Sequence, residues 1–348
     1  MKKGICLLLV FLWVFAALAG CGKEETPAAP TNATTADTAP TTAPTTPPPT
    51  ESPATDFVYQ VSEAGDCVYI NQYVGTSETV VIPSKIEGLP VVSIVGVRNG
   101  GNFEKGAFEG SQIQSVTIPE SVTSIGLDAF KDCTKLTQVT VSENIKIIQG
   151  GAFRNCVALK RMDLSQTKVQ IIDYTAFYGC TALTEIKFSN NLTEIGRKAF
   201  AECTALLVLD FPDSLIKVDG GAFDNCTSLK VVTIPEKLEL YSLTASSFSN
   251  VPALEKIIFK EGRKEIKGYA FFAVTSNPEI VIPESVETFS PYPFFLYPDA
   301  KFVFSGDCPE IVEKNDFYGT PTIYYDPSTQ GWDTCIWKDQ YSLIPLEQ

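Results

Sequence analysis

A short motif recurs along most of this chain, and the distance between its copies limits what the chain can fold into. Ala129-Phe130 with Cys133 returns as Ala152-Phe153 with Cys156. The phenylalanine recurs every 22 to 25 residues, at Phe108, Phe130, Phe153, Phe177, Phe200, Phe223, Phe248 and Phe271. A fixed period of this size is typical of solenoids, in which one supersecondary unit stacks on the next. The repeat therefore predicts one elongated domain.

Each unit has the same pattern, Cys-x-x-Leu-x-x-Val-x-Ile-Pro, a polar turn, and then Val-x-x-Ile-Gly-x-x-Ala-Phe. The Val-x-Ile alternation, as in 113–119 and 229–235, is typical of a half-buried strand. Proline ends the strand because it lacks the N–H that a ladder needs. Glycines at the next bend, such as Gly126 and Gly196, are expected to adopt positive φ. We therefore expect each coil to contain two short strands and one turn of helix.

The pattern resembles the BspA-type leucine-rich repeat family of bacterial surface proteins and covers about Val80 to Tyr325 in eight copies. The resemblance implies a repeat solenoid of the strand-dominated leucine-rich repeat kind (α/β horseshoe-type), with a concave parallel β-sheet and short helical turns. It also implies secretion or surface attachment and a binding role, such as adhesion to host or neighbouring cells. The family has no catalytic motif that could be transferred to this chain.

The N-terminus has the features of a secretory signal. Lys2 and Lys3 precede an apolar run over 5–18 that is too short to span a bilayer comfortably. Leu18-Ala19-Gly20-Cys21 resembles the bacterial lipobox, which implies a signal peptide over 1–20 and a diacylglyceryl group on Cys21. The protein would then be an extracytoplasmic lipoprotein at the bacterial cell surface. The alternative is ordinary signal cleavage with Cys21 unmodified.

Composition divides the rest of the chain. Residues 21–56 form a predicted disordered linker, because 26 of the 30 residues from Thr26 to Thr55 are Thr, Pro or Ala. It would act as a stalk or as a passive spacer, and order is expected to begin near Phe57. We assign 57–106 to an N-terminal cap with an irregular first repeat, 107–320 to the repeats and 321–348 to a C-terminal cap. Trp332, Trp337 and Tyr341 are expected to cover the last coil.

Charge and composition exclude several classes of function. The net charge of −14 argues against nucleic-acid binding and against adsorption to anionic lipid. The absence of histidine excludes His-dependent catalysis and His-ligated zinc. We expect no catalytic residues, no cofactor and no metal site. An enzyme would need a non-repeating insertion with polar residues, and the one sizeable insertion, 96–106, offers Arg98, Glu104 and Lys105.

The cysteines fall into two groups. Five recur at the repeat period, Cys133, Cys156, Cys180, Cys203 and Cys226. Their side chains should point the same way, which disfavours disulfides and indicates core thiols; a redox-active ladder is the alternative. Outside this ladder, Cys308 with Cys335 could close the terminal cap by a disulfide, and Cys67 has no evident mate.

A recognition face, if present, should consist of strand residues that point away from the core. The expected face is polar, but Leu207, Val208, Val231, Ile258 and Phe259-Lys260 interrupt it, and exposed apolar patches mark interaction sites. The candidate concave face comprises Thr140, Asp163, Lys187, Leu207, Val208, Asp210, Val231, Thr233 and Ile258. Alternatively the register is off by one residue and these side chains belong to the core.

We interpret the chain as a protein-binding or adhesion module whose partner is a host or neighbouring-cell surface or extracellular protein. A carbohydrate partner, stacked on the aromatic run 289–297, is a further hypothesis, although such a run is also typical of a cap core. A structural spacer of the cell envelope without a specific ligand is the alternative function. Contact with a membrane is expected only through the lipid anchor.

Overall fold

The computed structural model describes residues 50–99, 102–239, 247–266, 276–289, 299–311, 317 and 319–347. Cys21, Phe271 and residues 290–297 of the aromatic run therefore lie outside the described residues. Within the described residues no helix is long and apolar enough to cross a membrane.

The described residues contain 26 strands and two 3-10 helices, Ala54–Asp56 and Ile336–Asp339. The strands are β1 Phe57–Val61, β2 Val68–Tyr73, β3 Thr79–Val81, β4 Lys85–Ile86, β5 Leu89–Ile94, β6 Val97–Asn99, β7 Asn102–Lys105, β8 Ser115–Thr117, β9 Ser124–Ile125, β10 Gln138–Thr140, β11 Ile147–Ile148, β12 Arg161–Asp163, β13 Ile171–Ile172, β14 Glu185–Lys187, β15 Glu194–Ile195, β16 Val208–Asp210, β17 Lys217–Val218, β18 Val231–Ile234, β19 Lys256–Phe259, β20 Glu265–Ile266, β21 Glu279–Ile282, β22 Thr288–Phe289, β23 Lys301–Phe304, β24 Glu310–Ile311, β25 Thr322–Tyr325 and β26 Ser342–Pro345.

Two ladders of parallel strands run along the molecule, one from each strand of the coil. The first ladder consists of a three-stranded sheet (β3, β8, β10), a two-stranded sheet (β12, β14) and a seven-stranded sheet ordered β16-β18-β19-β21-β23-β25-β26. The second ladder consists of a sheet whose main path is ordered β1-β2-β5-β9-β11-β13-β15-β17 and a three-stranded sheet ordered β20-β22-β24. Equivalent residues of successive coils pair, for example Val116 with Val139 and Ile257 with Ile280. The predicted strand-dominated solenoid is confirmed.

The recurring phenylalanines form one continuous stack in the core. Phe108 through Phe248 follow one another with ring centroids 4.8 to 5.4 Å apart and planes within 23° of parallel. This distance is close to the spacing of neighbouring strands, about 4.8 Å, because each coil adds one strand and one ring. All of these rings are buried. The coils are therefore in register, as the repeat predicts.

The predicted turn of helix is not observed in the described coils. Around Phe130 the chain instead forms two hydrogen-bonded turns, from Lys131 N to Asp128 O (3.0 Å) and from Cys133 N to Phe130 O (3.2 Å). Asp128 and Asp132, which bracket this segment, have φ of 51° and 57°. Left-handed residues interrupt a right-handed helix, so the segment turns twice without becoming helical.

The expected positive φ at Gly126 and Gly196 is wrong, since neither residue belongs to the left-handed set. These glycines are needed because neighbouring coils approach closely. A Cβ on Gly126 would lie 2.2 Å from the carbonyl oxygen of Ile94, and one on Gly196 would lie 2.6 Å from the amide nitrogen of Tyr174. Glycine is thus required here by the packing of one coil on the next.

The N-terminal cap begins before the predicted boundary at Phe57. Ser52 N donates to Val81 O (2.8 Å), and the Glu51 carboxylate accepts from Ser84 N (2.8 Å). These contacts cover the edge of β3, which is the first strand of its ladder. The end of the predicted linker therefore belongs to the cap. β1 and β2 form an antiparallel hairpin, and the 96–106 insertion contains a second antiparallel pair, β6 and β7.

The C-terminal cap is built from aromatic residues and one disulfide. Trp332 and Trp337 are buried, and the Tyr341 hydroxyl donates to Phe317 O (3.1 Å). Cys308 and Cys335 are disulfide-bonded with their Cα atoms 6.4 Å apart, as suggested from the sequence. Phe289, the first residue of the aromatic run, is buried and packs edge-on against Trp337. At that position the cap-core interpretation is correct.

Candidate binding face

Side chains alternate between the core and the surface along β12, β14, β16, β18, β19, β21 and β23 of the first ladder. In β18, Val232 and Ile234 are fully buried, whereas Val231 and Thr233 are only partly covered. Just before and within β16, Leu207 and Val208 are 42% and 46% exposed. The alternative register, in which these residues fill the core, is therefore wrong.

All nine predicted residues of the candidate face lie on the outward side of this ladder or directly beside it. Exposed residues are Thr140, Asp163, Lys187, Leu207, Val208 and Asp210, and partly covered residues are Val231, Thr233 and Ile258. One neighbouring assignment needs correction, because Phe259 is 2% exposed and belongs to the core. Phe259 follows Ile258 directly, and successive residues of a strand point to opposite faces.

The structure divides these residues among three sheets. Thr140 lies in the three-stranded sheet, and Asp163 and Lys187 face each other across the two-stranded sheet. The Lys187–Asp163 ion pair is 3.5 Å long and more than half exposed on both sides, so it contributes little stability. Hydrogen bonds from Ser165, and then the nearby Lys187, hold the pKa of Asp163 below its usual range. The remaining residues belong to the seven-stranded sheet.

Four apolar residues of the face were missed from the sequence. Val281, Val303, Tyr324 and Ile344 point outward from β21, β23, β25 and β26, in register with Ile258 of β19. The signal was present as the same alternation in 279–282, 301–304 and 322–325, where the repeat step becomes irregular. We define the apolar stripe as Leu207, Val208, Val231, Ile258, Val281, Val303, Tyr324 and Ile344. It extends along the whole seven-stranded sheet.

Charged side chains on one flank of the apolar stripe pair with each other. The Glu279 carboxylate lies 2.8 Å from both Lys256 and Lys301 on the two neighbouring strands. Hydrogen bonds from these lysines lower the pKa of Glu279. The Lys301 ammonium lies 4.6 Å from the centroid of the Tyr324 ring, at the distance of a cation–π contact. This row therefore places two positive charges and one negative charge on this flank, with Lys301 beside the Tyr324 ring.

A groove of about 250 Å³ lies where β14 and β16 separate, with Phe188 and Phe211 among its lining residues. Lys260 reaches into it from two coils away. Its ammonium donates to Phe211 O (2.7 Å) and pairs with Asp210 (3.1 Å) and Asp213 (3.4 Å). The groove lies beside the Leu207–Val208 end of the apolar stripe, and the loop that follows β16 forms part of its lining.

The ladder cysteines belong to the core, as predicted. Each thiol donates to the carbonyl of the phenylalanine one coil earlier, from Cys133 to Phe108 (3.0 Å) through Cys226 to Phe200 (3.3 Å). Burial raises the pKa of Cys133 to about 11 and that of Cys180 to about 12. A thiol must ionise to act as a nucleophile, so these environments do not fit a redox-active ladder. Cys67 is also buried and free.

In the part of the chain that the structure describes, no group of three or more Cys, Asp or Glu side chains could hold a metal ion. Glu104 and Lys105 of the insertion are exposed on β7.

Comparison with known proteins places this geometry in context. The family profile described as BspA type Leucine rich repeat region matches residues 101–230 and 193–323, in 6 copies. The T. pallidum leucine-rich repeat protein TpLRR is 28% identical, over 60% of this chain and 86% of its own, with a TM-score of 0.44. A leucine rich cell surface protein from Faecalibacterium prausnitzii is 20% identical, over 86% of this chain and 96% of its own, with a TM-score of 0.51. The pneumococcal vaccine antigen PcpA is 16% identical, over 84% and 83%, with a TM-score of 0.30. No curated protein matches the chain.

Proposed function

Because the chain belongs to the BspA-type leucine-rich repeat family, we propose that it is a lipid-anchored protein of the bacterial cell surface that binds a partner protein through its seven-stranded sheet. Display at the surface is supported by the signal-like N-terminus that ends at Cys21. It is also supported by the F. prausnitzii protein of the same fold, which is described as a cell surface protein. The partner would be an extracellular or surface protein of a host or a neighbouring cell.

The apolar stripe is the observation that carries the binding function. Single exposed apolar side chains are normal on a protein surface, but a contiguous row of them marks an interaction site. Here each of seven adjacent strands adds at least one outward apolar side chain, in two neighbouring rows. Val208 pairs with Val231 in one row, and the other row aligns Ile258, Val281, Val303, Tyr324 and Ile344. Tyr324, held by Lys301, provides an aromatic side chain of the type that often dominates binding energy.

Adherence of cells that display the full-length chain tests this function. In the stripe variant, Leu207→Ser, Val208→Ser and Ile258→Ser are combined. The control variant combines Val157→Ser and Ile216→Ser, which are 39% and 42% exposed but lie off the apolar stripe. We expect the stripe variant to lose at least tenfold in adherence to the target cells or matrix protein, with an unchanged melting temperature. The control variant should adhere normally.

Equal adherence of the two variants would favour the envelope-spacer function and contradict the proposal. Unfolding of the stripe variant alone would indicate that these side chains are needed for stability, and single substitutions at Val208 and Ile258 would then separate the two effects.

The anchor is tested separately with Cys21→Ala. Palmitate labelling should disappear, and the protein should move from the membrane fraction to the medium, because stable attachment needs the acyl chains. Retention of unlabelled Cys21→Ala in the membrane fraction would refute lipidation as the means of attachment.

A further inference from the structure

The loops after the strands of the seven-stranded sheet share one feature, a carboxylate in each. The loops that follow β16, β18, β19, β21, β23 and β25 contain, in order, Asp213, Glu236, Glu261, Glu284, Asp307 and Asp326. The first five residues are exposed, and Asp326 is partly covered. We call these six residues the acidic column.

Carboxylates of the acidic column join two pairs of neighbouring loops. The Glu261 carboxylate accepts from Glu284 N and Ser285 N, both at 3.2 Å, and the Asp307 carboxylate accepts from Gln330 N at 2.7 Å. Each of these bonds joins one loop to the next. Two of the six carboxylates, Glu261 and Asp307, thus hold neighbouring loops together.

Arg263 fixes the loop that holds Glu236. Its buried guanidinium donates to the carbonyl oxygens of Pro235 (2.8 Å), Glu236 (2.7 Å) and Leu238 (2.7 Å). Other units have an apolar residue at this position of the repeat, such as Leu238 and Val286. The loop backbone is thereby held in place before any partner binds, which reduces the entropy lost on binding.

The acidic column borders the apolar stripe. The Lys260 ammonium touches both Asp210, which points outward from β16, and Asp213 in the following loop. One side chain thus spans the distance between the sheet face and the column. A partner that covers the apolar stripe would also approach the acidic column.

The loops beside the apolar stripe carry more carboxylates than cations. In their described residues the six carboxylates of the acidic column are accompanied by four cationic side chains, Lys237, Lys260, Arg263 and Lys264. On the opposite flank Glu279 is matched by Lys256 and Lys301. The whole chain carries a net charge of −14. Such a field attracts cationic partners and repels anionic ones.

We propose that the partner protein presents a basic, apolar segment, whose apolar side chains cover the stripe while its lysine or arginine side chains face the acidic column. This inference rests on the proposed function and specifies the chemistry of its partner. Acidic glycans, nucleic acids and anionic lipid surfaces do not fit this face.

Synthetic peptides provide the probe. Fluorescence anisotropy would compare the full-length chain's affinity for a peptide that alternates Lys with Leu or Val, for its counterpart with Glu replacing Lys, and for one with Ser replacing Leu and Val. We expect the basic, apolar peptide to bind at least tenfold more tightly than either counterpart, and its affinity to fall as salt is added. Equal affinity for the acidic peptide, or no binding of the basic one, would overturn the inference.

A matched pair of variants assigns the effect to the acidic column. Glu236→Gln with Glu284→Gln removes two charges beside the apolar stripe. Glu120→Gln with Glu143→Gln removes two exposed charges at the same loop position beside Thr117 and Thr140, where the stripe is absent. The first pair should weaken binding of the basic peptide about tenfold, equivalent to about 1.4 kcal/mol, and the second pair should not.

Equal effects of the two pairs would contradict the role of the acidic column. The same variants in the adherence assay separate this inference from the proposed function. Loss of adherence in the stripe variant with full adherence in Glu236→Gln/Glu284→Gln would leave the proposed function intact and refute a basic partner.

Discussion

Replacement of Phe153 by alanine should be among the most destabilising single changes in the protein. The ring is fully buried, and it stacks on Phe130 and on Phe177 with both centroids 5.2 Å away. Burial of a phenylalanine in a core is worth about 3–5 kcal/mol relative to alanine, and each aromatic pair adds about 0.5–1.5 kcal/mol beyond the buried area. Because other rings cover both faces of Phe153, we expect its replacement to lower the free energy of unfolding by about 4–5 kcal/mol, near the upper end of this range.

Urea unfolding followed by circular dichroism measures this loss, with Val157→Ala as the control in the same coil. Val157 is 39% exposed, so its truncation should change the free energy of unfolding by no more than about 0.5 kcal/mol. Phe153→Leu should fall between the two variants because it keeps most of the buried volume. If Phe153→Ala cost less than about 1 kcal/mol, the ring stack would not be the core of the solenoid.

Three further predictions concern other parts of the fold. Gly126→Ala should lower the free energy of unfolding by well over 1 kcal/mol because its Cβ would lie 2.2 Å from Ile94 O; a melting temperature equal to that of the wild type would contradict the close packing of coils. The ladder thiols should resist alkylation at pH 8 and react only on unfolding, because burial raises their pKa; rapid labelling of Cys180 in the folded protein would refute this. The Glu279 carboxylate should stabilise the fold at pH values above the usual pKa of glutamate, and this stabilisation should disappear as the pH falls through the lowered pKa of the folded state. The difference in free energy of unfolding between the wild type and Glu279→Gln should therefore shrink in acid. A difference that does not depend on pH would contradict the role of the ion pairs.

The fold could be predicted because each repeat of the sequence contains the residues of one complete coil. A phenylalanine such as Phe130 and a cysteine such as Cys133 recur in each coil, and equal steps along the chain become equal positions in space. The outward side of each strand follows from the period-2 alternation: in β16, Val208 and Asp210 are exposed and Leu209 between them is buried.

The features that were missed depend on contacts between coils or on irregular spacing. The reason for Gly126 is the Ile94 carbonyl of the preceding coil, which no local pattern reveals. The left-handed turns are formed by Asp128 and Asp132, so glycine did not mark them. Ser52 lies in a stretch of disorder-prone composition, yet it pairs with β3.

The C-terminal half of the apolar stripe was missed for a related reason. Val281, Val303 and Tyr324 lie in units that depart from the Cys-to-Cys step, so the repeat pattern alone does not align them with Ile258. Parallel pairing restores the common register in three dimensions.

Site-specific photo-crosslinking on cells that display the full chain tests the binding face most directly. A benzophenone side chain at Val281, on the apolar stripe, is compared with one at Ile216, which is 42% exposed and lies off the stripe. The account predicts a covalent adduct with a partner protein from position 281 and none from position 216. Adducts of equal yield from both positions, or adducts from position 216 alone, would contradict it.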